Sequence, residues 1–591
     1  MGKQIDFNSR IKDMYKNPIG HDVIYRVLLQ LNKSEKILTN PFVGNLKLKT
    51  AAKLTNKILG KDFFETLINL LNTEGVTTKN DSKIILEKWW KEAVFYQIYP
   101  RSFNKGNLNG IIEKLDYIKK LGVNAIWLSP IYDSPNDDNG YDIRDYFKIQ
   151  KEFGDMEDFE KLLEKAHEMD IKIIMDLVVN HTSDEHEWFK KALKDPKSKY
   201  RDYYFFRDKP NNWTSFFSGS AWNYYEEQDK WALHLFSKKQ MDLNWDNEEL
   251  RLDVVEMIKW WLKKGIDGFR LDVINYISKS PGLPDGNVNI GKLMGYYGIE
   301  HYFYGPRLHE YLHQIKTQAF EPFEAFSVGE APGVGMEMGK LITADYRREL
   351  DMIFSFEHLE MPGHARFDIY KYDLNYMKRY YTYWMENYEN SCWMSLFYEN
   401  HDSPRMVSKI DKRPEYREVL AKLLAVIEFT LKGTPFIYQG QEIGSVNYDF
   451  KSIEEISDIE SKNLYNELIK TMDEKMAFER ILAGTREHAR LPLNWDNMKD
   501  SNVLDFYKKL ILIRKHGKTL IYGDIQITNK KTKDIFTYYR KDETNTYYIE
   551  CNISSKFKKK PKNQGNFNLV ISNYEKADKK LRPYEANIYC R

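Results

Sequence analysis

Gly268-Phe269-Arg270-Leu271-Asp272 opens as an apolar run and ends in a carboxylate. Ser327-Val328-Gly329-Glu330 and Glu399-Asn400-His401-Asp402 finish short apolar stretches in the same way. A parallel strand buried on both faces reads as a near-continuous apolar run, and in a barrel of such strands the reactive groups sit at the C-terminal tips. Three strand-end acids therefore predict a mouth lined with carboxylates. Carboxylates on opposite sides of one bond are what glycoside hydrolysis requires.

Outward from these tracts the rhythm repeats. Strand-like runs at 94–100, 125–128, 171–179, 268–272, 325–330, 352–356, 395–400 and 435–438 are separated by helix-length segments, with helical spacing at 110–121, 159–169 and 250–264. That alternation predicts an α/β fold, a (β/α)8 TIM barrel. About sixty residues rich in Tyr, Phe and Trp separate His181 from Asn244, too long for a plain loop, and predict an inserted subdomain after the third strand. A final helix at 503–515 gives way to strands at 535–539, 546–549 and 569–571, read as a C-terminal β-sandwich. Before the barrel, Ile24, Val27, Leu28 and Leu31 share one helical face and Phe63, Phe64, Leu67, Ile68 and Leu71 another. They predict an N-terminal helical extension, a small cap with no chemistry of its own. The expected division is 1–88 for the extension, 89–180 with 245–515 for the barrel, 181–244 for the inserted subdomain and 516–591 for the sandwich.

Composition narrows the class of function. Of 591 residues, Lys plus Arg number 89 and Asp plus Glu 87, so a net charge of +2 gives no field to recruit nucleic acid or an anionic membrane. The basic run Lys556-Phe557-Lys558-Lys559-Lys560-Pro561-Lys562 reads as a solvated loop between strands. Cys392, Cys551 and Cys590 are scattered and odd in number, against a disulfide framework or zinc site. Met1-Gly2-Lys3-Gln4-Ile5-Asp6 leads into polar sequence with no apolar signal region, and no apolar run is long enough for a membrane span. The expectation is a cytosolic protein acting on a small imported substrate, as monomer or homodimer, without cofactor.

The three acids divide by their neighbours. Arg270 lies two residues before Asp272, so on a strand both face the same way and the guanidinium favours an ionised Asp272. Glu330 has Phe326, Val328 and Ala331 around it and no cation next to it in sequence; apolar surroundings raise a carboxyl pKa and keep it protonated. An ionised nucleophile facing a protonated acid is the retaining arrangement.

The ordered tracts Asp176-Leu177-Val178-Val179-Asn180-His181, Gly268–Asp272, Val328-Gly329-Glu330 and Asn400-His401-Asp402, with Gln240-Met241-Asp242-Leu243-Asn244 as a fifth, resemble the conserved regions of glycoside hydrolase family 13, the α-amylase family. The resemblance spans residues 88–591. Within the family it is similar to oligo-1,6-glucosidases and related α-glucosidases, through Trp89-Trp90-Lys91-Glu92-Ala93-Val94-Phe95-Tyr96-Gln97-Ile98-Tyr99-Pro100, Asn136-Asp137-Asp138-Asn139-Gly140-Tyr141-Asp142 and Gly219-Ser220-Ala221-Trp222. It implies Asp272 as nucleophile, Glu330 as acid/base and Asp402 as the third, stabilising acid. It implies that His181 and His401 bond ring hydroxyls, that Arg270 sits beside the nucleophile and that Tyr141 stacks on the sugar. Phe236 and Gln240 would line the wall, and Asp138 with Arg490 would close the pocket on a non-reducing glucose. Arg490 comes from Arg486-Glu487-His488-Ala489-Arg490-Leu491-Pro492-Leu493-Asn494-Trp495, which departs from the family's wording but keeps both arginines. Val273, after the nucleophile, accompanies α-1,6 preference in such relatives.

Two departures stand out. Arg101-Ser102-Phe103-Asn104-Lys105-Gly106-Asn107-Leu108-Asn109-Gly110 replaces an Asp/Asn-rich calcium loop with one lacking any carboxylate, so no metal is expected there. The helical extension has no counterpart in the common form. The leading expectation is an exo-acting, retaining α-glucosidase for short α-1,6-linked gluco-oligosaccharides. An α-1,4-glucosidase or a trehalose-6-phosphate hydrolase is the alternative. A non-catalytic transporter heavy subunit would need a membrane anchor and could lose the acids, which this chain keeps.

Overall fold

Ala125-Ile126-Trp127-Leu128 and Gly268-Phe269-Arg270-Leu271 are buried at every position, which only a central strand covered on both faces allows. In the computed structural model, which describes residues 4–31, 33, 36–60, 63–72, 85–496, 501–562, 565–575 and 578–591, eight such strands form one parallel sheet. They are β1 (Phe95–Ile98), β2 (Ala125–Leu128), β3 (Lys172–Leu177), β4 (Gly268–Leu271), β5 (Phe326–Glu330), β6 (Met352–Phe354), β7 (Ser395–Leu396) and β8 (Thr434–Tyr438). Their order is β6-β5-β4-β3-β2-β1-β8-β7, and the Ser395 hydroxyl donates to the Ile353 carbonyl at 2.7 Å to bring β7 against β6. The expected barrel is present, with every strand run falling where the sequence predicts.

Register decides what meets at the mouth. Arg270 of β4 pairs with Asp176 of β3, and Leu271 pairs with Gly329 of β5. One step further along these strands, Asp272 and Glu330 come level on neighbouring tips. Side chains at Arg270 and Asp272 share a face because strand side chains alternate.

The excursion after β3 begins with His181–Ser183, which pairs antiparallel with Gln240–Asp242, setting Gln240 opposite Ser183 and Asp242 opposite His181. Between them Phe206–Arg207, Lys230–Leu233 and Trp222–Tyr225 form a small antiparallel sheet. At the other end of the chain, Asp524–Thr528, Ile535–Lys541, Thr546–Asn552, Ala586–Cys590 and Asn568–Ser572 form a five-stranded antiparallel sheet beside a two-stranded ribbon of Lys558–Lys559 and Lys580–Leu581. The basic run thus contributes a short strand as well as loop, and Lys558 pairs with Asp534 at 2.6 Å. Arg540 fastens this sheet to the barrel, donating to the carbonyls of Thr430 (2.7 Å) and Leu520 (2.8 Å) from full burial.

The N-terminal helices Pro18–Gln30, Leu48–Leu59 and Phe63–Asn72 follow the predicted faces: Ile24 and Val27 are buried, as are Phe63, Phe64, Leu67, Ile68 and Leu71. Helix Pro18–Gln30 docks on helix Met336–Thr343, which follows β5. There the Asp22 carboxylate accepts from the Met338 amide at 2.7 Å, capping that helix. Contact is tight enough that a Cβ on Gly335 would lie 2.6 Å from Asp22 Cγ, so glycine is required by the approach. The stretch 73–84, which the sequence reading assigns to the extension, lies outside the described residues.

Candidate active site

Arg270 is 1% exposed and serves three carboxylates. Its Nη1 lies 2.7 Å from Asp176 Oδ1 and 2.7 Å from Asp272 Oδ1, and its Nη2 bonds Glu330. The expectation that no cation adjoins Glu330 is corrected here. Arg270 reaches it from the neighbouring strand, a contact that a linear reading of β5 does not contain. Burial nonetheless dominates, and with the charge of Asp272 it pushes the Glu330 carboxyl up to about 8 against the pull of Arg270. Burial also lifts Asp272, to about 6, partly offset by Arg270. Arg270 therefore does not hold Asp272 at the ordinary carboxylate level; it pulls on both groups, and the charges of Asp272 and Asp402 place Glu330 above Asp272. Near neutrality the pair consists of an ionised Asp272 and a protonated Glu330, both bonded to Arg270.

Asp402 has the opposite surroundings. Its Oδ1 lies 2.7 Å from Arg490 Nη2 and 3.1 Å from Arg486 Nη1, and its Oδ2 lies 3.0 Å from His401 Nε2. Burial opposes its ionisation, but these three partners overcome it and hold Asp402 well below the usual carboxylate range. Gln97 Nε2 donates to His401 Nδ1 at 2.8 Å, which leaves the ring proton on Nε2, facing Asp402 and the Tyr141 hydroxyl. Tyr141 stacks on His401 with ring centroids 5.2 Å apart, and its hydroxyl donates to Asp176 at 3.1 Å. His181 Nε2 lies 3.1 Å from the Tyr141 carbonyl, and burial pushes its pKa down to about 4. Gln240 Nε2 donates to Asp138 Oδ2 at 3.1 Å, and Phe236 packs 5.3 Å from the His181 ring.

The expected Asp138–Arg490 pair is instead Asp138–Arg486, with Arg486 Nη2 3.0 Å from Asp138 Oδ1. Arg490 sits behind Asp402 and donates Nε to the His401 carbonyl at 2.8 Å. Both arginines bracket the single helical turn Glu487–Arg490, so their guanidinium groups point the same way and the first alone reaches the cavity. Asp458 steadies both from below, accepting from Arg486 Nε at 2.9 Å with Arg490 Nη1 at 3.9 Å. Asp176, Asp458 and Arg486 are site residues to which the sequence reading gave no role. The first opens one quoted tract and the last opens another, whereas Asp458 has no local signal.

Val273 follows the nucleophile candidate at φ +35°, ψ +41°, a left-handed conformation rare for a β-branched residue. The turn aims its side chain into the cavity wall, and its amide donates to Glu330 Oε2 at 3.3 Å. Strain of this kind persists where surroundings over-determine it, most often at functional sites.

One cavity of about 480 Å³ is lined by Asp138, Tyr141, His181, Asp272, Glu330 and Asp402, with Phe236, Gln240, Val273 and Arg486. It continues to the N-terminal helices, where Val23, Arg26, Val27, Phe63 and Leu67 form part of the wall. The extension read as chemically silent thus borders the site. In the loop 101–110, Lys105 Nζ pairs with Glu113 of the next helix at 2.5 Å and the Asn107 side chain caps that helix, Leu108–Leu121. Among the described residues no group of three or more His, Cys, Asp or Glu could hold a metal ion. Nor is any described helix long and apolar enough to cross a membrane.

Residues 97–544 match the model of the α-amylase catalytic domain. The chain is 43% identical over 557 residues to an oligo-1,6-glucosidase of Bacillus cereus, covering 85% of this chain and 99% of that one. A second oligo-1,6-glucosidase, from Parageobacillus thermoglucosidasius, is 43% identical over 562 residues, with 85% and 98% coverage. The crystal structure of Bacillus licheniformis trehalose-6-phosphate hydrolase superposes with a TM-score of 0.79 at 37% identity, covering 85% of this chain and all of that one.

Proposed function

This chain belongs to the α-amylase family of glycoside hydrolases, and from that premise we propose that it is an exo-acting, retaining α-glucosidase that releases glucose from the non-reducing end of short α-1,6-linked gluco-oligosaccharides. The observation that carries the reading is Arg270 bridging Asp272 and Glu330 on adjacent strand tips, opposite an Asp402 fixed by two arginines. Two carboxyl groups bonded to one guanidinium from adjacent strand tips favour the roughly 5–5.5 Å spacing of retaining enzymes over the about 6.5–9.5 Å at which an inverting enzyme admits a water.

In this reading Asp272 attacks the anomeric carbon while Glu330 protonates the departing oxygen. A covalent glucosyl-enzyme results, and water, deprotonated by Glu330, then displaces Asp272 with net retention. Asp402, ionised by its cations, stabilises positive charge as it develops on the ring, and fixed dipoles and charges of this sort lower a barrier most in a water-poor pocket. His181 and His401 bond ring hydroxyls, and Tyr141 offers its face. Asp138 with Arg486 closes the pocket's end, so only a chain terminus enters. Arg490 acts by holding Asp402.

The trehalose-6-phosphate alternative needs cations for a phosphate. Away from the catalytic acids the cavity offers Arg26 and Arg366 against Asp22, Glu300, Glu360 and Glu460, and Arg366 is bonded to Glu460. That balance favours a neutral substrate. Purified protein incubated with isomaltose, isomaltotriose, maltose, sucrose and trehalose 6-phosphate tests the reading: glucose should appear fastest from the α-1,6-linked sugars. Turnover confined to trehalose 6-phosphate would reverse the choice.

A further inference from the structure

The cavity holding the catalytic acids does not end at the barrel mouth. It runs on between the N-terminal helices Pro18–Gln30 and Phe63–Asn72 and the segment Val288–Met294, with no partition from the acids. The family match begins at residue 97, beyond the two N-terminal helices, so their side of this wall is supplied by sequence outside it. Its chemistry differs from that of the glucose end. Val23, Val27, Phe63, Leu67 and Leu70 face it from the extension. Ile290, Leu293, Met294 and Phe303 face it from the barrel side. The polar groups there are largely engaged: Asp22 caps helix Met336–Thr343, Glu360 pairs with Lys409 at 2.5 Å, and Arg366 pairs with Glu460. Arg26 stands beside the turn after Glu330, its Nη1 3.5 Å from a Cβ built on Gly333, and its buried Nε has no bonding partner.

We propose that the extension forms the far wall of the leaving-group site, and that this site accepts α-glucosides whose leaving group carries an apolar chain or ring. The inference rests on assigning the other end of the cavity to the glucose ring. Continuity with the catalytic acids makes the occupant part of the same substrate, because whatever fills this space is joined through the bond being cleaved. A further sugar would bury several hydroxyls against aliphatic side chains, each costing free energy unless it is bonded. An aliphatic or aromatic tail would instead gain by burial. The acidic excess at this end disfavours an anionic leaving group.

The test uses the full chain and a series of methyl, butyl and octyl α-D-glucosides below micelle-forming concentrations. Alcohol acidity hardly varies along it, so leaving-group chemistry is constant while apolar length changes. kcat/KM should rise by up to about fourfold per buried methylene, giving more than a tenfold preference for octyl over methyl. Leu70→Asn and Val23→Asn, at half-buried wall positions, should each cut the octyl-to-methyl ratio several-fold. A flat series in the unaltered protein, alongside cleavage of isomaltose, overturns the inference and leaves the glucosidase reading standing. Failure to cleave isomaltose or any member of the series removes both. A steep series untouched by either variant would place the tail elsewhere and also overturn it.

Discussion

Replacing Glu330 with Gln separates the roles of the two central carboxyls. Glu330 is raised to about 8 and Asp272 to about 6, in each case by burial first. Asp272 works ionised, so activity is lost as pH falls through about 6. Glu330 works protonated, so activity is lost as pH rises through about 8. With these limbs about four-fifths of the molecules carry the working pair at pH 7, and about a tenth at pH 5 or pH 9. Glutamine keeps the volume and the neutral charge of the protonated acid but cannot give up a proton. On isomaltose, whose leaving alkoxide needs protonation, kcat should drop by about 10²–10⁴. On p-nitrophenyl α-glucoside, whose leaving group is stable as an anion, formation of the glucosyl-enzyme should suffer far less, and the alkaline limb should vanish while the acid limb stays. The assay is kcat/KM for both substrates from pH 5 to 9. An alkaline limb near 8 that persists in the variant, or an isomaltose rate close to that of the unaltered protein, would refute the assignment.

Asp272→Asn should abolish turnover of both substrates while leaving the far-ultraviolet circular dichroism unchanged, since the shape of the buried cluster is kept. Chelation by EDTA should change neither activity nor melting temperature, because Lys105 paired with Glu113 occupies the loop where oxygen ligands would be needed; a loss restored by calcium would contradict this. Val273→Thr or Val273→Ala should raise the maltose-to-isomaltose ratio of kcat/KM several-fold, because a change of one small group in a pocket is worth about 1–3 kcal/mol. A starting enzyme that already prefers maltose would refute the α-1,6 reading but not the glucosidase one.

The barrel was legible because its strands are buried on both faces: β2 and β8 carry apolar sequence with no polar alternation, and that pattern survives without knowledge of partners. Position along a strand also located Asp272 and Glu330, since tips of parallel strands converge. Contacts between strands were not legible. Arg270 sits two residues from Asp272 and sixty from Glu330, yet it touches both. The exchange of Arg486 for Arg490 at Asp138 depends on which side chain of one helical turn reaches the cavity, a difference of reach that spacing alone does not encode. Asp458 and the N-terminal wall share the same obstacle. Asp458 meets Arg486 across 28 residues, and Asp22 meets Met338 across 316. Neither pairing leaves a mark on local periodicity. Val273 lies between these cases, since the apolar run visibly ends at 272 but the left-handed backbone that follows has no local mark.

The central claim is that Asp272 and Glu330 act as nucleophile and acid/base on an α-1,6 bond at a chain end. Proton NMR of the anomeric signals during the first minutes of isomaltose hydrolysis tests it most directly. Each cleavage also frees the reducing-end glucose as its existing anomer mixture, so the account predicts early total glucose richer in the α anomer than the equilibrium ratio, relaxing to it later. Early glucose richer in the β anomer than equilibrium, or isomaltose left intact while other α-glucosides are cleaved, would contradict it.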